Sequence, residues 1–234
     1  MYQTIAFDEM IVNRRWIASP STTTPDLIEG FRALTITGTL GALAPFTGFN
    51  ALAAINFSSA AAAGSVTTLR HTTAWNTDVS TNYSMASFRF FINDAAPVAN
   101  SRMFLGITNS TAALTNVDPA TLTNCLGIGH NSGDTSLSIY ACGAPGTGTV
   151  TSLGANFPTA AQGKFFDFRI LQGTVSTYQV LAYGFGAPTP VAASGEFSTG
   201  GLNSSWVING FRSNGSTALA ASLAMSMINI RSSH

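Results

Sequence analysis

Residues 87–93 read Ser87-Phe88-Arg89-Phe90-Phe91-Ile92-Asn93. In an extended chain Phe88, Phe90 and Ile92 share one side while Arg89 and Phe91 take the other, the period-two pattern of a strand with one well-buried face. Residues 102–108 repeat the pattern with Met103, Leu105 and Ile107. The intervening stretch Asp94 to Asn100 is rich in turn formers, so the two segments read as an antiparallel hairpin. A second hairpin is expected from 124–130 and 136–142 around the polar loop Asn131-Ser132-Gly133-Asp134, where glycine makes positive φ inexpensive. A third is expected from 165–171, with Phe166, Phe168 and Ile170 inward, and 177–183, joined through Gln172-Gly173-Thr174. A fourth is expected from 206–211 and the apolar run 219–230 on either side of Asn214-Gly215.

The last run also fits helical spacing through Leu219, Leu223 and Met227. Its neighbours are short strands, which favours strand, and the shift of its apolar positions from odd to even at Met227-Ile228 points to a β-bulge. There is no internal repeat, which argues against solenoids and propellers. Eight to ten short strands in one unit describe an all-β, two-sheet antiparallel sandwich of the jelly-roll kind over residues 31–234.

Residues 1–30 differ in character. They hold six charged residues (Asp8, Glu9, Arg14, Arg15, Asp26, Glu29) and the stretch Pro20-Ser-Thr-Thr-Thr-Pro25. The segment is too short for its own core and reads as an extended N-terminal arm, with Ile11, Val12, Arg14, Arg15 and Trp16 as the anchoring candidates.

Composition narrows the function. Hydrophobic residues make up 45% of the chain and charged residues only 9%, against about 25% charged in ordinary soluble domains. A surface this poor in charge is expected to be covered by identical subunits or by a larger assembly. Lys164 is the single lysine, the nine arginines are scattered and the formal net charge is +0, so no basic stripe exists for nucleic acid. Residues 33–69 carry no charge, but Pro45, Gly38, Gly41, Gly48, Gly64 and many Ser, Thr and Asn interrupt them, so membrane insertion is not expected. The first residues contain Asp8 and Glu9 and no apolar signal core, so folding in a cytoplasm is expected.

The segments Ser101-Arg-Met-Phe-Leu-Gly-Ile-Thr-Asn-Ser-Thr-Ala-Ala-Leu114, Asn116-Val-Asp-Pro-Ala-Thr-Leu-Thr-Asn124 and Cys125-Leu-Gly-Ile-Gly-His-Asn-Ser-Gly-Asp-Thr135 resemble a recurring domain of bacteriophage tail-fibre and head-fibre proteins. Gly148 to Pro158 and the Phe165-Phe-Asp-Phe-Arg169 strand extend the likeness, which covers about residues 70–185. The resemblance implies a jelly-roll-like sandwich, commonly trimeric, on a virion surface, made in the host cytoplasm. Its partners would be copies of itself, other capsid or tail proteins, and a host-surface glycan or protein. The leading expectation is a non-enzymatic tail-fibre or receptor-binding component. With only about 30 residues before the domain, capsid decoration stays open as the alternative, and a polysaccharide depolymerase is third.

Catalytic chemistry finds little footing in the residues. His130 lies near Ser132 and Asp134, but in a turn, and there is no Gly-x-Ser-x-Gly elbow. A glycosidase would need two of the scattered carboxylates, Asp78, Asp94, Asp118, Asp134, Asp167 or Glu196, whose placement already fits turns and strand ends. Cysteine and histidine spacing gives no metal site, and Gly127-Ile128-Gly129 lacks the third glycine and the helix of a dinucleotide loop, so no cofactor is expected. Trp75, Tyr83 and Trp206 are candidates for stacking on a sugar, against the alternative that they are core or subunit-contact aromatics. Cys125 and Cys142 are expected to be free thiols. Symmetric closure of the 131–134 loop would put Cys125 opposite Tyr140 and diagonal to Cys142.

Overall fold

The computed structural model describes residues 12–17, 34–43, 54–71, 75–76, 84–143, 148–160, 164–172, 177–184, 189–196 and 205–232. Its strands are, in chain order, β1 (Val12–Ile17), β2 (Leu34–Ile36), β3 (Thr39–Leu43), β4 (Ala54–Ser58), β5 (Val66–His71), β6 (Trp75–Asn76), β7 (Ser84–Ile92) and β8 (Arg102–Thr108). They continue with β9 (Cys125–His130), β10 (Ser138–Cys142), β11 (Thr149–Ser152), β12 (Phe166–Gln172), β13 (Thr177–Tyr183), β14 (Val191–Glu196), β15 (Ser205–Ser213) and β16 (Ser222–Ser232). Among the described residues one 3-10 turn, Pro119–Thr121, lies in the β8–β9 connection.

Two antiparallel sheets form. The first runs β14-β13-β12-β7-β16-β4-β3, with β1 also on β16, and the second runs β11-β10-β9-β8-β15-β5-β2, with β6 on β15. This is the all-β two-sheet sandwich that the alternation implies. Phe88, Phe90, Ile92, Phe166, Phe168 and Ile170 from the first sheet meet Met103, Leu105, Ile107, Leu126, Ile128 and Ile208 from the second in one core. Phe88 lies opposite Phe168, and Phe90 opposite Phe166. Their ring centroids are 6.4 and 5.7 Å apart, within the range of favourable aromatic pairs.

The run after residue 219 is strand, as its neighbours suggested. Its register against β7 shifts between Met225 and Met227, one residue before the expected position. The extra residue keeps Leu223 and Met225 inward before it and Ile228 and Ile230 inward after it, all buried.

The β9–β10 and β12–β13 hairpins are present. Two other expected hairpins are not. β7 belongs to the first sheet and β8 to the second, so residues 93–101 cross the sandwich instead of turning back within one sheet. Likewise β15 and β16 lie in different sheets. Gly215 has the positive φ of 61° that the Asn-Gly pair suggested. However, the Asn214 side chain donates to the carbonyls of Ala60 at 3.0 Å and Ala62 at 2.8 Å, tying the turn to another loop as the chain changes sheet.

Part of the first 30 residues is a strand of the first sheet. Val12–Ile17 pairs antiparallel with Ser232 to Met227 of β16, beyond the point where β4 flanks the same strand. Val12, Arg14, Arg15 and Trp16 are therefore at strand positions in the first sheet, while Ile11 lies outside the described residues.

The β9–β10 register also differs from the symmetric one, because the connection continues through Leu137. Cys125 is directly opposite Cys142, and Tyr140 is opposite Gly127. Both cysteines are free and buried. The contact with Cys142 and burial hold the Cys125 thiol well above its ordinary pKa, which suppresses thiolate reactivity. The expected result is two titratable thiols per chain in denatured, unreduced protein and almost no reaction in the native state. Recovery of no thiol after denaturation would mean that the opposed pair is oxidised.

Candidate functional site

The end of β9 directs His130 into the sandwich, where it is 1% exposed. Its Nδ1 lies 3.0 Å from the Asn131 carbonyl oxygen, and its Nε2 contacts Nη1 of Arg212. An arginine can only donate, so Nε2 accepts and the neutral ring carries its proton on Nδ1. Burial, then the Arg212 charge, pulls the His130 pKa down to about 3. Ser132 and Asp134 do not complete a triad. Asp134 accepts the Asn131 amide at 2.8 Å, and the Ser132 hydroxyl lies 3.4 Å from Oδ1 of Asn100.

Three aspartates are held by arginines. Arg212, fully buried on β15, places Nη2 2.6 Å from Oδ2 of Asp94, whose other oxygen accepts the Ser222 amide at 2.9 Å. Burial raises the Asp94 carboxyl above its ordinary value despite the Arg212 charge. Asp118 accepts from Arg102 Nε at 2.7 Å and from the Ser132 amide at 2.9 Å. Burial pushes its carboxyl up, but the Ser132 amide and the bond and charge of Arg102 outweigh that and leave it below the usual range. Asp167 takes both ends of Arg89, at 2.7 and 2.8 Å. Asp78 lies outside the described residues, and Glu196 is at a strand position on β14. Among the described residues no three His, Cys, Asp or Glu gather where a metal would fit.

Of the three aromatic candidates, Trp206 follows the core reading. Trp206 is 1% exposed and belongs to the core between the sheets, so it offers no face to a ligand. Trp75 sits opposite it in the β6–β15 pair, and Tyr83 lies outside the described residues. Gly127 and Gly129 serve packing within β9. A Cβ on Gly127 would come within 2.6 Å of both the Phe104 ring and the Leu105 carbonyl, which supports the tight-strand reading over a phosphate loop.

The two outer faces differ. On the second sheet, Leu114, Ala120 and Leu122 of the β8–β9 connection pack over Phe104, Cys125, Tyr140, Cys142 and Phe211. On the first sheet, a groove of about 310 Å³ opens over β16, β7 and β12, lined by Ser87, Phe88, Arg89, Asp167, Arg169, Met227 and Asn229. Two rows of cross-strand neighbours build it. Met227, Arg89, Asp167 and Tyr183 form one, and Asn229, Ser87, Arg169 and Leu181 form the other. The Arg169 guanidinium stands 5.0 Å over the Tyr183 ring, and Oδ1 of Asn229 is buried with no hydrogen-bond partner among the described residues. The alternation around Phe88 and Phe90 already put Ser87 and Arg89 outward. The neighbours they meet depend on pairings between distant strands, which local pattern does not reveal.

No family model and no curated protein matches this chain. Solved structures do resemble it. Peanut lectin with a nine-residue peptide superposes with a TM-score of 0.60 at 13% identity, covering 95% of this chain and 97% of that one. Basic winged bean lectin with Tn-antigen gives 0.58 at 9% identity over 95% and 98% of the two chains. A protein of unknown function from Shewanella oneidensis MR-1 gives 0.54 at 12% identity over 100% and 90%. At such identities the likeness is one of fold. The chain has the two-sheet, jelly-roll-like sandwich architecture shared with these lectins.

Proposed function

We propose that this protein is a non-enzymatic, homotrimeric component of a bacteriophage particle, displayed on the virion surface and engaging a host-surface glycan. The observation that carries the binding part is how the polar groups are deployed. Asp94, Asp118 and Asp167 are each clamped by an arginine, and His130 is buried in its neutral form. Hydrolysis of a glycosidic bond needs a positioned acid and base that exchange protons with substrate, and these four groups are occupied instead in holding strands and loops together. The outward groove on the first sheet remains for recognition. The particle part rests on the resemblance of residues 101–135 to phage fibre domains and on the low charge content of 9%, which suits a surface shared with other subunits.

Purified protein is expected to elute as a trimer of 24.3 kDa chains and to bind host cells saturably without releasing reducing sugar from their polysaccharide. Absence of cell binding, together with hundreds of copies per particle, would replace this reading with capsid decoration. Release of reducing ends would replace it with depolymerisation.

A further inference from the structure

We infer that the groove on the outer face of the first sheet is a subsite for an acidic sugar, whose carboxylate is received by the Arg169 guanidinium and whose hydroxyls bond with Asn229 and Ser87. The inference rests on the glycan-binding reading above and adds to it the place and the chemical class of the ligand.

Three observations carry it. The first is charge. Arg89 and Asp167 neutralise each other through two hydrogen bonds of 2.7 and 2.8 Å, so the positive charge left in the groove is that of Arg169. Arg169 is exposed and has no carboxylate partner among the described residues. Its guanidinium carbon lies 5.0 Å from the Tyr183 ring centroid, a cation–π contact, and a guanidinium can receive a carboxylate on two N–H groups at once. The second is the unmet polar atom. Asn229 lies in the same cross-strand row, separated from Arg169 only by Ser87. Oδ1 of Asn229 has no donor among the described residues, although buried acceptors are normally satisfied, and a turn of this half-buried side chain toward the groove it lines would let a ligand hydroxyl supply the missing hydrogen bond. The third is size. About 310 Å³ is at the lower end of small-ligand sites, which suits one or two sugar rings.

The rest of the sheet agrees with a ligand that continues along this row. On the far flank of β16, Arg15 occupies the register position opposite Asn229, so the row runs from Arg15 through Asn229 and Ser87 to Arg169. A chain of sugars with repeated carboxylates would follow that direction.

The test uses the full chain, with oligogalacturonate as the carboxylated probe, a maltooligosaccharide of equal length as the neutral probe and tetraglutamate as an acidic peptide. Calorimetry is expected to show binding of oligogalacturonate that weakens as salt rises, and much weaker binding of the other two. Arg169→Ala should weaken it about tenfold or more, the worth of a charge-assisted hydrogen bond, with Arg169→Lys recovering part. Asn229→Ala should weaken it by a smaller factor. Lys164→Ala, at an exposed site outside the groove, should leave it unchanged, and unfolding midpoints check that the variants fold. Equal binding of the neutral sugar, equal Arg169-dependent binding of tetraglutamate, or undiminished binding by Arg169→Ala overturns the assignment.

Host cells separate this inference from the broader reading. Cell binding retained equally by wild type and Arg169→Ala removes this subsite while leaving the function standing. Arg169-dependent oligogalacturonate binding without any cell binding keeps the subsite and removes the host-surface role.

Discussion

Replacing Arg212 with methionine is expected to destabilise the fold by about 3–5 kcal/mol, the usual result of removing one partner from a buried ion pair. Arg212 is 0% exposed. It shares a cross-strand row with Met103 and His130, facing the space between the sheets. Its partner Asp94 comes from the opposite sheet, just after β7, at 2.6 Å. The pair therefore ties the sheets together at the 93–101 crossover, and Asp94 in turn fixes the start of β16 by accepting the Ser222 amide. Methionine fills much of the volume but leaves a buried carboxylate with one backbone donor. Arg212→Met combined with Asp94→Leu should be more stable than Arg212→Met alone, because the stranded charge goes with its partner. Urea unfolding of the four proteins in a double-mutant cycle measures both effects. A stability for Arg212→Met within about 0.5 kcal/mol of wild type, the range of an ordinary surface substitution, would contradict this role.

This pair also marks the limit of what the chain discloses by pattern. The strands around Phe88, Met103, Ile128, Phe168 and Val180 were legible because alternation is local, and each of these side chains is buried in the common core. The partners of those strands were not. A hairpin turn and a crossover between sheets use the same Asn, Gly, Asp and Pro chemistry, and only tertiary packing decides whether the chain turns back or crosses. Asp94 to Asn100 and Asn214-Gly215 were both read as hairpins for that reason. Apolar alternation does not mark β1, because the consecutive arginines Arg14 and Arg15 break it. What makes it a strand is the flank of β16 left open where β4 ends.

The candidate site was legible in halves. Arg89 and Ser87 were outward from their phase with Phe88. Asp167 and Arg169 hold the same phase with Phe168, so two polar faces were visible separately. Their union, and the addition of Met227 and Asn229, needs the β12–β7–β16 register, including the shift at Met225/Met227. The burial of Trp206 has a related reason. Trp206 is in phase with Ile208 and Arg212, all of them buried, and a tryptophan on the inward side of a sandwich strand packs in the core.

Acidification below pH 6.5 is expected to destabilise the protein through His130, by roughly 1.4 kcal/mol for each pH unit. In the folded chain burial and Arg212 pull this imidazole from its ordinary value of 6.5 to about 3, so the native state excludes a proton that the unfolded chain accepts. The stability is fully present above pH 6.5 and is lost as pH falls from there toward about 3. Protonation would also remove the acceptor lone pair on Nε2 and set a cation against Arg212, which can only donate. Asp94 acts in the opposite direction, since its raised carboxyl gains a proton more readily in the folded state. The lowered Asp118 contributes only once pH reaches the carboxylate range. Between pH 6.5 and 5 this group should therefore cost the wild type about 1.6 kcal/mol, read from urea midpoints. His130→Gln keeps an oxygen acceptor for Arg212 and has nothing to titrate. It should be less stable than wild type at neutral pH but lose much less on going to pH 5, and comparing the two proteins separates His130 from the other histidines. Parallel losses in wild type and His130→Gln would assign the acid sensitivity to another group.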